Sequence, residues 1–266
     1  MCRHLAYLGS PRTLRALLCE PPHGLYRQAW APRFQRYGTV NADGFGVGWY
    51  VPGDPVPARY RRAVPIWADP SFDDLVRVTR SGCVLAAVRS ATPGTARDES
   101  AAAPYAAGPW LFSHNGSVAA WPGSVAALAA GLAPEALLDI EARCDSAFLW
   151  ALVKARLLEG TPPGEALAAV VSAVTALTPA RLNLLLTDGS TVAATTYGDT
   201  LSYRVGPDGA LVVASEPDDA GSASRPDDAG SASQPDDAGS ASQPWIDVPD
   251  RRVVVGGRDG VAVSPL

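Results

Sequence analysis

Met1-Cys2-Arg3-His4-Leu5-Ala6-Tyr7-Leu8 opens the chain, and its reading decides how the rest is organised. Arg3 to Leu8 reads as a strand, which leaves Cys2 at the strand's leading tip. An initiator Met is normally removed when the next side chain is small, and Cys qualifies. Cys2 would then carry a thiol and a free α-amine on one residue. Their ordinary pKa values, about 8.5 and about 8, lie close enough for the amine to take the thiol proton and later return it. One residue would supply both nucleophile and base. A cysteine at position 2 can equally be an incidental thiol, so the reading depends on what the chain offers elsewhere.

Downstream, a helix is predicted over Thr13 to Leu18, closed by Pro21-Pro22. Pro32 to Gly44 is polar and turn-rich. Strands are predicted at Val47 to Val51, Ala58 to Arg62, Val84 to Arg89 and Trp110 to His114, with a helix over Ser71 to Arg80. Helices follow over Ser124 to Ala130, Pro134 to Ala142, Ser146 to Glu159 and Gly164 to Leu177. In the third of these Phe148, Leu152, Ala155 and Leu158 recur at helical spacing. The rest alternates strand-like runs: Leu182 to Leu186, Thr191 to Thr196, Leu201 to Val205, Leu211 to Ala214 and Arg252 to Val255. Strands, then helices, then strands is not the βαβα alternation of a parallel doubly wound sheet. An α+β fold of antiparallel sheets covered by helices fits the order, as one domain over residues 1–266.

With 266 residues, 47% of them hydrophobic, the chain can bury a substantial core. Its net charge of −5, from 22 Lys+Arg against 27 Asp+Glu, gives no basic field to hold nucleic acid or an anionic membrane. No apolar run is long enough to span a bilayer. The opening lacks the basic-then-apolar pattern of a secretory signal, so a cytoplasmic location is expected. Cys19, Cys83 and Cys144 sit in or beside apolar segments and read as small, reduced core residues. No cysteine spacing suits a metal, and no motif asks for a cofactor. PDDAGSAS recurs every nine residues at Pro217, Pro226 and Pro235. The stretch 217–243 is small, polar and acidic, and reads as a disordered insertion rather than a calcium loop.

Acyl transfer also needs donors aimed at the developing oxyanion. His114-Asn115-Gly116 follows a strand and offers an amide side chain and a glycine N–H, although Asn-Gly alone is also an ordinary hairpin turn. Arg89, just past a strand, can clamp a carboxylate through two parallel hydrogen bonds, with Thr92 close behind. Asp145, at the start of the longest helix, can serve as N-cap, as a partner for a substrate ammonium, or both. Asn41 to Trp49, NADGFGVGW, is glycine-rich without the ending of a phosphate loop; its backbone is expected to run close to something, such as the nucleophile.

Cys after Met, NADGFGVGW, R-x-A-T after a strand, HNG after the next strand and an Asp opening a later helix together resemble the class II glutamine amidotransferases of the N-terminal nucleophile hydrolase superfamily. The resemblance spans Cys2 to about Glu216. It implies a four-layer αββα sandwich of two antiparallel sheets. It implies Cys2 as nucleophile and base, and Asn115 and Gly116 as the oxyanion hole. Arg89 and Thr92 would hold a glutamyl α-carboxylate and Asp145 its α-ammonium, with His114 a further substrate contact. Pro93 stands where related enzymes often have His, which bears on one carboxylate contact.

MCRHLAYLG, APRFQRYGTVNADGFGVGWY, PIWADPSF, VRSATPG, LFSHNG and the closing SEP…W…VP pattern are similar to the ergothioneine-biosynthesis amidohydrolases, over nearly the full chain apart from the repeats. That family hydrolyses γ-glutamyl-hercynylcysteine sulfoxide, so the resemblance implies a small-molecule γ-glutamyl substrate and a thioester on Cys2. A glutaminase subunit feeding ammonia to a separate synthase, and a non-catalytic amidotransferase-like binding protein, are the alternatives. For the leaving group, His4, His23, Gln28, Tyr37 and Trp67 are candidates near the mouth, Tyr37 foremost through a cation–π contact with a trimethylammonium. The oligomeric state is open.

Overall fold

A computed structural model describes residues 2–92, 94–219, 243–257 and 260–266. Met1, Pro93 and residues 220–242, which hold most of the repeats, lie outside the described residues. Strand β1 (Arg3–Thr13) leads into helices α1 (Leu14–Leu18) and α2 (Leu25–Gln28), then the hairpin β2 (Phe45–Trp49) and β3 (Ala58–Arg62). Helix α3 (Phe72–Val78), strand β4 (Arg80–Val88), and strands β5 (Tyr105–Ala107) and β6 (Trp110–Val118) follow. Helices α4 (Ala126–Ala129), α5 (Pro134–Leu138), α6 (Asp145–Leu158) and α7 (Pro163–Thr175) come next. The chain then runs through β7 (Ala180–Thr187), β8 (Val192–Thr196), β9 (Ser202–Val205), β10 (Leu211–Ala214), β11 (Ile246–Asp247), β12 (Arg252–Gly257) and β13 (Gly260–Pro265).

The strands form a seven-stranded sheet, β11-β9-β10-β1-β4-β2-β3, and a six-stranded sheet, β13-β12-β8-β7-β6-β5. Neighbouring strands are antiparallel throughout. Alternation along β1 explains the layering: side chains two apart share a face. Leu5 and Tyr7 pack with Leu14, Leu18, Leu25, Phe72 and Val76 of the first three helices. Ala6, between them, packs with Leu85, Leu111, Leu185, Val192, Leu211, Val213 and Val254 in the space between the sheets. On the far face of the second sheet, Phe112, Leu184 and Leu186 meet Leu149, Val153, Leu167 and Val170 of α6 and α7. Helix, sheet, sheet, helix is the αββα sandwich expected. Both faces of each central strand are covered, so these strands read as nearly continuous apolar runs.

Three details differ from the sequence reading. Strand β6 continues through Asn115 and Gly116, which pair with Asn183 and Leu182 of β7. Asn-Gly is therefore not a turn here, because pairing along β7 outweighs local turn preference. The buried stripe of α6 runs through Leu149, Val153 and Leu157, whereas Leu158 is 70% exposed. The glycines of Asn41–Trp49 are crowded by other neighbours than Cys2. A Cβ on Gly46 would fall 2.3 Å from the Ala103 carbonyl oxygen, and one on Gly48 2.6 Å from the Leu111 side chain.

After β10 the buried Glu216 accepts hydrogen bonds from the Arg33 and Phe34 backbone N–H groups, each at 2.9 Å, and stands 3.8 Å from the buried Arg3 guanidinium. This pins the irregular Pro32–Gly44 segment against the base of β1. Arg204 of β9 pairs with Asp218 and Asp219 at 3.3 and 3.8 Å, and its guanidinium lies 4.8 Å from the centre of the Trp245 ring.

Candidate active site

Cys2 precedes β1 by one residue, at the edge of the inter-sheet layer. On β6, Leu111 faces that layer, so Ser113 and Asn115 face it too, while Phe112 and His114 face α6. The strand thus brings Asn115 to Cys2. Cys2 N donates to Asn115 Oδ1 at 3.2 Å. Asn115 Nδ2 donates to Ser215 Oγ at 3.4 Å, and that hydroxyl also accepts from the His4 N–H at 3.0 Å. The second N–H of the Asn115 amide meets no acceptor among the described residues. Next along the strand, Gly116 has φ 155°, and a Cβ there would lie 1.9 Å from the Arg181 carbonyl oxygen. Only glycine fits this close approach of β6 to β7.

His114 is buried, with Nδ1 3.0 Å from Ser146 Oγ and Nε2 3.0 Å from the Arg181 carbonyl oxygen. Burial lowers its pKa, against the raising influence of Asp145, so it stands as a neutral imidazole fixed by two partners. Cys144, not Asp145, occupies the N-cap of α6. The Asp145 carboxylate instead accepts from Val118 N at 3.1 Å and Ser146 N at 2.9 Å, tying the end of β6 to the start of α6.

A small cavity of ≈ 20 Å³, about the room of one water molecule, is lined by Cys2, Arg89, Ala101, Tyr105, His114 and Ser146 among others. Arg89 is 7% exposed, and its guanidinium donates to the Ala96 carbonyl at 2.7 Å and to Thr95 Oγ1 at 3.2 Å. The structure therefore brings together Cys2, Asn115, His114 and Arg89, with Asp145 one residue behind the wall. Thr92 is exposed and does not line this cavity. Tyr37 is 57% exposed and lies outside it, its ring 4.3 Å from the Arg181 guanidinium carbon.

Of the other candidates for the mouth, His4 and Gln28 are buried. His4 Nδ1 is 3.2 Å from Ser113 Oγ between the sheets, and burial pushes its pKa down to about 3. Gln28 Nε2 donates to the His23 carbonyl, and Trp67 packs edge-on against Trp30. Sequence reasoning missed Ser113 and Ser146, and read Ser215 only as part of Ser215-Glu216-Pro217, which resembles a site-proximal motif of related enzymes; a hydroxyl facing Cys2 or Asn115 is visible only once the strands are registered.

The remaining thiols are not competing nucleophiles. Burial pushes Cys19 up to about 11 and Cys83 up to about 12, and raises Cys144, which lies 3.2 Å from Tyr105 Oη. A larger space of ≈ 710 Å³ lies at the opposite end of β1, between Leu8, Tyr50, Cys83 and Gly189, and the protonated Cys83 is the thiol it offers.

A cysteine at a strand tip beside an Asn-Gly pair, inside an αββα sandwich, fits the class that the sequence matches: residues 26–208 match the class-II glutamine amidotransferases, and the chain belongs to that family. Within it, the chain is 42% identical to the gamma-glutamyl-hercynylcysteine sulfoxide hydrolase of Mycolicibacterium smegmatis, covering 100% of both chains. It is also 42% identical to the enzyme of that name from Mycobacterium tuberculosis, over 100% of this chain and 97% of the other. The glutamine aminotransferase class-II domain protein from Silicibacter pomeroyi has the same fold, with a TM-score of 0.67 at 23% identity, over 99% of each chain. Among the described residues no helix is long and apolar enough to cross a membrane.

Proposed function

We propose that this chain hydrolyses the γ-glutamyl amide of γ-glutamyl-hercynylcysteine sulfoxide, releasing glutamate and hercynylcysteine sulfoxide. The observation that carries the reading is whole-length identity of 42% to a hydrolase of that name, in a chain that keeps Cys2 beside Asn115. Removal of the residue before Cys2 would turn Cys2 N from a peptide nitrogen into an α-amine, already oriented by Asn115 Oδ1 at 3.2 Å. The amine takes the thiol proton, Sγ attacks the γ-carbonyl carbon, and the amine returns a proton to the departing nitrogen. Water then attacks the γ-glutamyl thioester and frees the thiol.

Two donors suit the oxyanion: the uncommitted N–H of Asn115 and the backbone N–H of Gly116. Arg89 is the group for the glutamyl α-carboxylate, exchanging its bonds to Thr95 and Ala96 for a bidentate pair, with Thr92 behind it. Asp145 is the group for the α-ammonium and His114 a neutral wall between them. A glutamyl chain exceeds ≈ 20 Å³, so binding opens this lining. The work is done by one domain, with water as the second acceptor, in the cytoplasm.

Incubating purified protein with a panel of γ-glutamyl conjugates, read by mass spectrometry, tests the reading. Glutamate release from the sulfoxide conjugate is expected, and Cys2→Ala should fold and release none. Faster turnover of free glutamine, rising on addition of a synthase partner, would overturn it in favour of a glutaminase subunit.

A further inference from the structure

β1 and β6 belong to different sheets, yet two contacts cross between them in step. Cys2 N donates to Asn115 Oδ1 at 3.2 Å, and two residues further in along each strand His4 Nδ1 lies 3.2 Å from Ser113 Oγ. Residues two apart share a face, so this second rung stands roughly 7 Å behind the first. Both of its members are fully buried, in a layer otherwise filled by Ala6, Leu85, Leu111, Leu185 and other apolar side chains.

Stability does not call for polarity at this rung. An apolar pair of the same shape would fill the space at little cost or with a gain. The pair present leaves His4 Nε2 without a partner among the described residues, and burial holds the imidazole neutral, its pKa pushed down to about 3. The rung does reach the reaction centre. Ser113 lines the ≈ 20 Å³ cavity together with Cys2, Arg89 and Ser146, a space of about one water molecule. A hydroxyl can donate one hydrogen bond and accept two, so the contact with His4 leaves Ser113 capacity for a water beside it. Other hydroxyls of the lining are engaged elsewhere. Tyr105 donates to the Ala101 carbonyl at 3.1 Å, and Ser146 Oγ lies 3.0 Å from His114 Nδ1 on the α6 side.

We infer that Ser113 holds the water that hydrolyses the Cys2 thioester, with His4 as the positioning residue that fixes the Ser113 hydroxyl. The inference rests on the γ-glutamyl hydrolase reading and names the residues that serve its second half-reaction. The water oxygen bonds to the γ-carbonyl carbon, and the bond from that carbon to Sγ breaks. The water proton passes to the Cys2 α-amine, which gave its own proton to the departing nitrogen in the first half-reaction, and from there to Sγ. Ser113 and His4 end as they began; they set where the water oxygen stands. A water already held beside the thiol reacts before a second amine can enter, which favours hydrolysis over transfer.

Rapid-quench mass spectrometry with γ-glutamyl-hercynylcysteine sulfoxide separates the two half-reactions. Release of hercynylcysteine sulfoxide reports formation of the thioester, and protein carrying a γ-glutamyl group reports its persistence. Ser113→Ala is expected to form the thioester within about twofold of the wild-type rate and to hydrolyse it about tenfold more slowly, so that acylated protein accumulates. His4→Leu should do the same, and His4→Asn, whose amide reaches the place of Nδ1, should restore most of the rate. Hydroxylamine, which attacks without being deprotonated first, should speed turnover of Ser113→Ala by a larger factor than that of wild type. Equal slowing of both half-reactions, or hydrolysis unchanged in Ser113→Ala, overturns the inference and leaves the hydrolase reading standing. Wild-type protein that forms no thioester from the conjugate overturns the hydrolase reading, and this inference with it.

Discussion

Gly116→Ala is the substitution whose consequence the structure sets most tightly. The added Cβ would lie 1.9 Å from the Arg181 carbonyl oxygen and 2.6 Å from both the Arg181 carbonyl carbon and His114 Nε2. An ordinary carbon–oxygen contact is about 3.3 Å, so roughly 1.4 Å must open between β6 and β7. The obstacle is backbone and cannot swing away as a side chain would. Overpacking of this kind costs about 1–3 kcal/mol, and a non-glycine residue at φ 155° about 1–3 kcal/mol more. The sum, about 2–6 kcal/mol, corresponds to a melting temperature lower by roughly 5 °C or more for a chain of this size. Asn115 moves with the strand, and a misplacement of about 1 Å at the oxyanion donor proposed above is expected to cost ~10² in rate. Scanning calorimetry and glutamate release measure both effects. Gly53→Ala is the control: φ is 84° there, with no atom within 4 Å of the added Cβ, so strain alone applies and activity is unchanged. A Gly116→Ala protein that melts within 1 °C of wild type, fully active, would refute the close-approach reasoning.

Asn115→Ala should lower kcat by ~10²–10³ while the fold is kept, by steady-state kinetics with circular dichroism alongside. Glu216→Gln should cost about 3–5 kcal/mol in urea unfolding, because it removes the carboxylate charge 3.8 Å from the buried Arg3 guanidinium and turns an amide donor toward the Arg33 or Phe34 N–H. His4 stays neutral in the fold, with its pKa pushed from 6.5 down to about 3, while the unfolded chain takes up the proton. Stability is therefore full above about 6.5 and falls as pH drops toward 3, by about 2 kcal/mol between pH 7 and 5 from this residue. A His4→Leu protein should show a correspondingly flatter pH dependence; an unchanged slope would contradict the burial argument.

Much of the fold was legible because its signals are local. The Arg3–Leu8 run, the apolar helices and the order of strands and helices were all readable without tertiary information. Cys2, Asn115 and Gly116 were legible as motifs, but their meeting depends on the alternation of β6, which points Asn115 inward and His114 toward α6. The Asn-Gly pair misled the local reading because a turn dipeptide can also sit inside a strand when a neighbour pairs with it. Edge strands β5 and β13 went unread, being short or flanked by glycine. The ≈ 340 Å³ cavity walled by residues 34–36, 198–202 and 247–250 had no local signature at all, since these segments lie far apart in the chain. None of the five candidates chosen for the mouth lines it, since an aromatic or polar tip says nothing about which face of the fold it will meet.

Arg204 bears on how this chain can change over generations. It grips Asp218 and Asp219 where the chain leaves the seven-stranded sheet after β10 and Trp245 where it returns before β11. The take-off and landing points are thus riveted to one strand, whatever number of residues joins them. Lengthening such a connection is cheap, about 0.6 kcal/mol for each doubling. Tandem nine-residue units are prone to being copied or dropped in replication, and this clasp makes such slips nearly silent for folding. The same address would accept a foreign peptide or a fluorescent reporter without rewriting the enzyme around it.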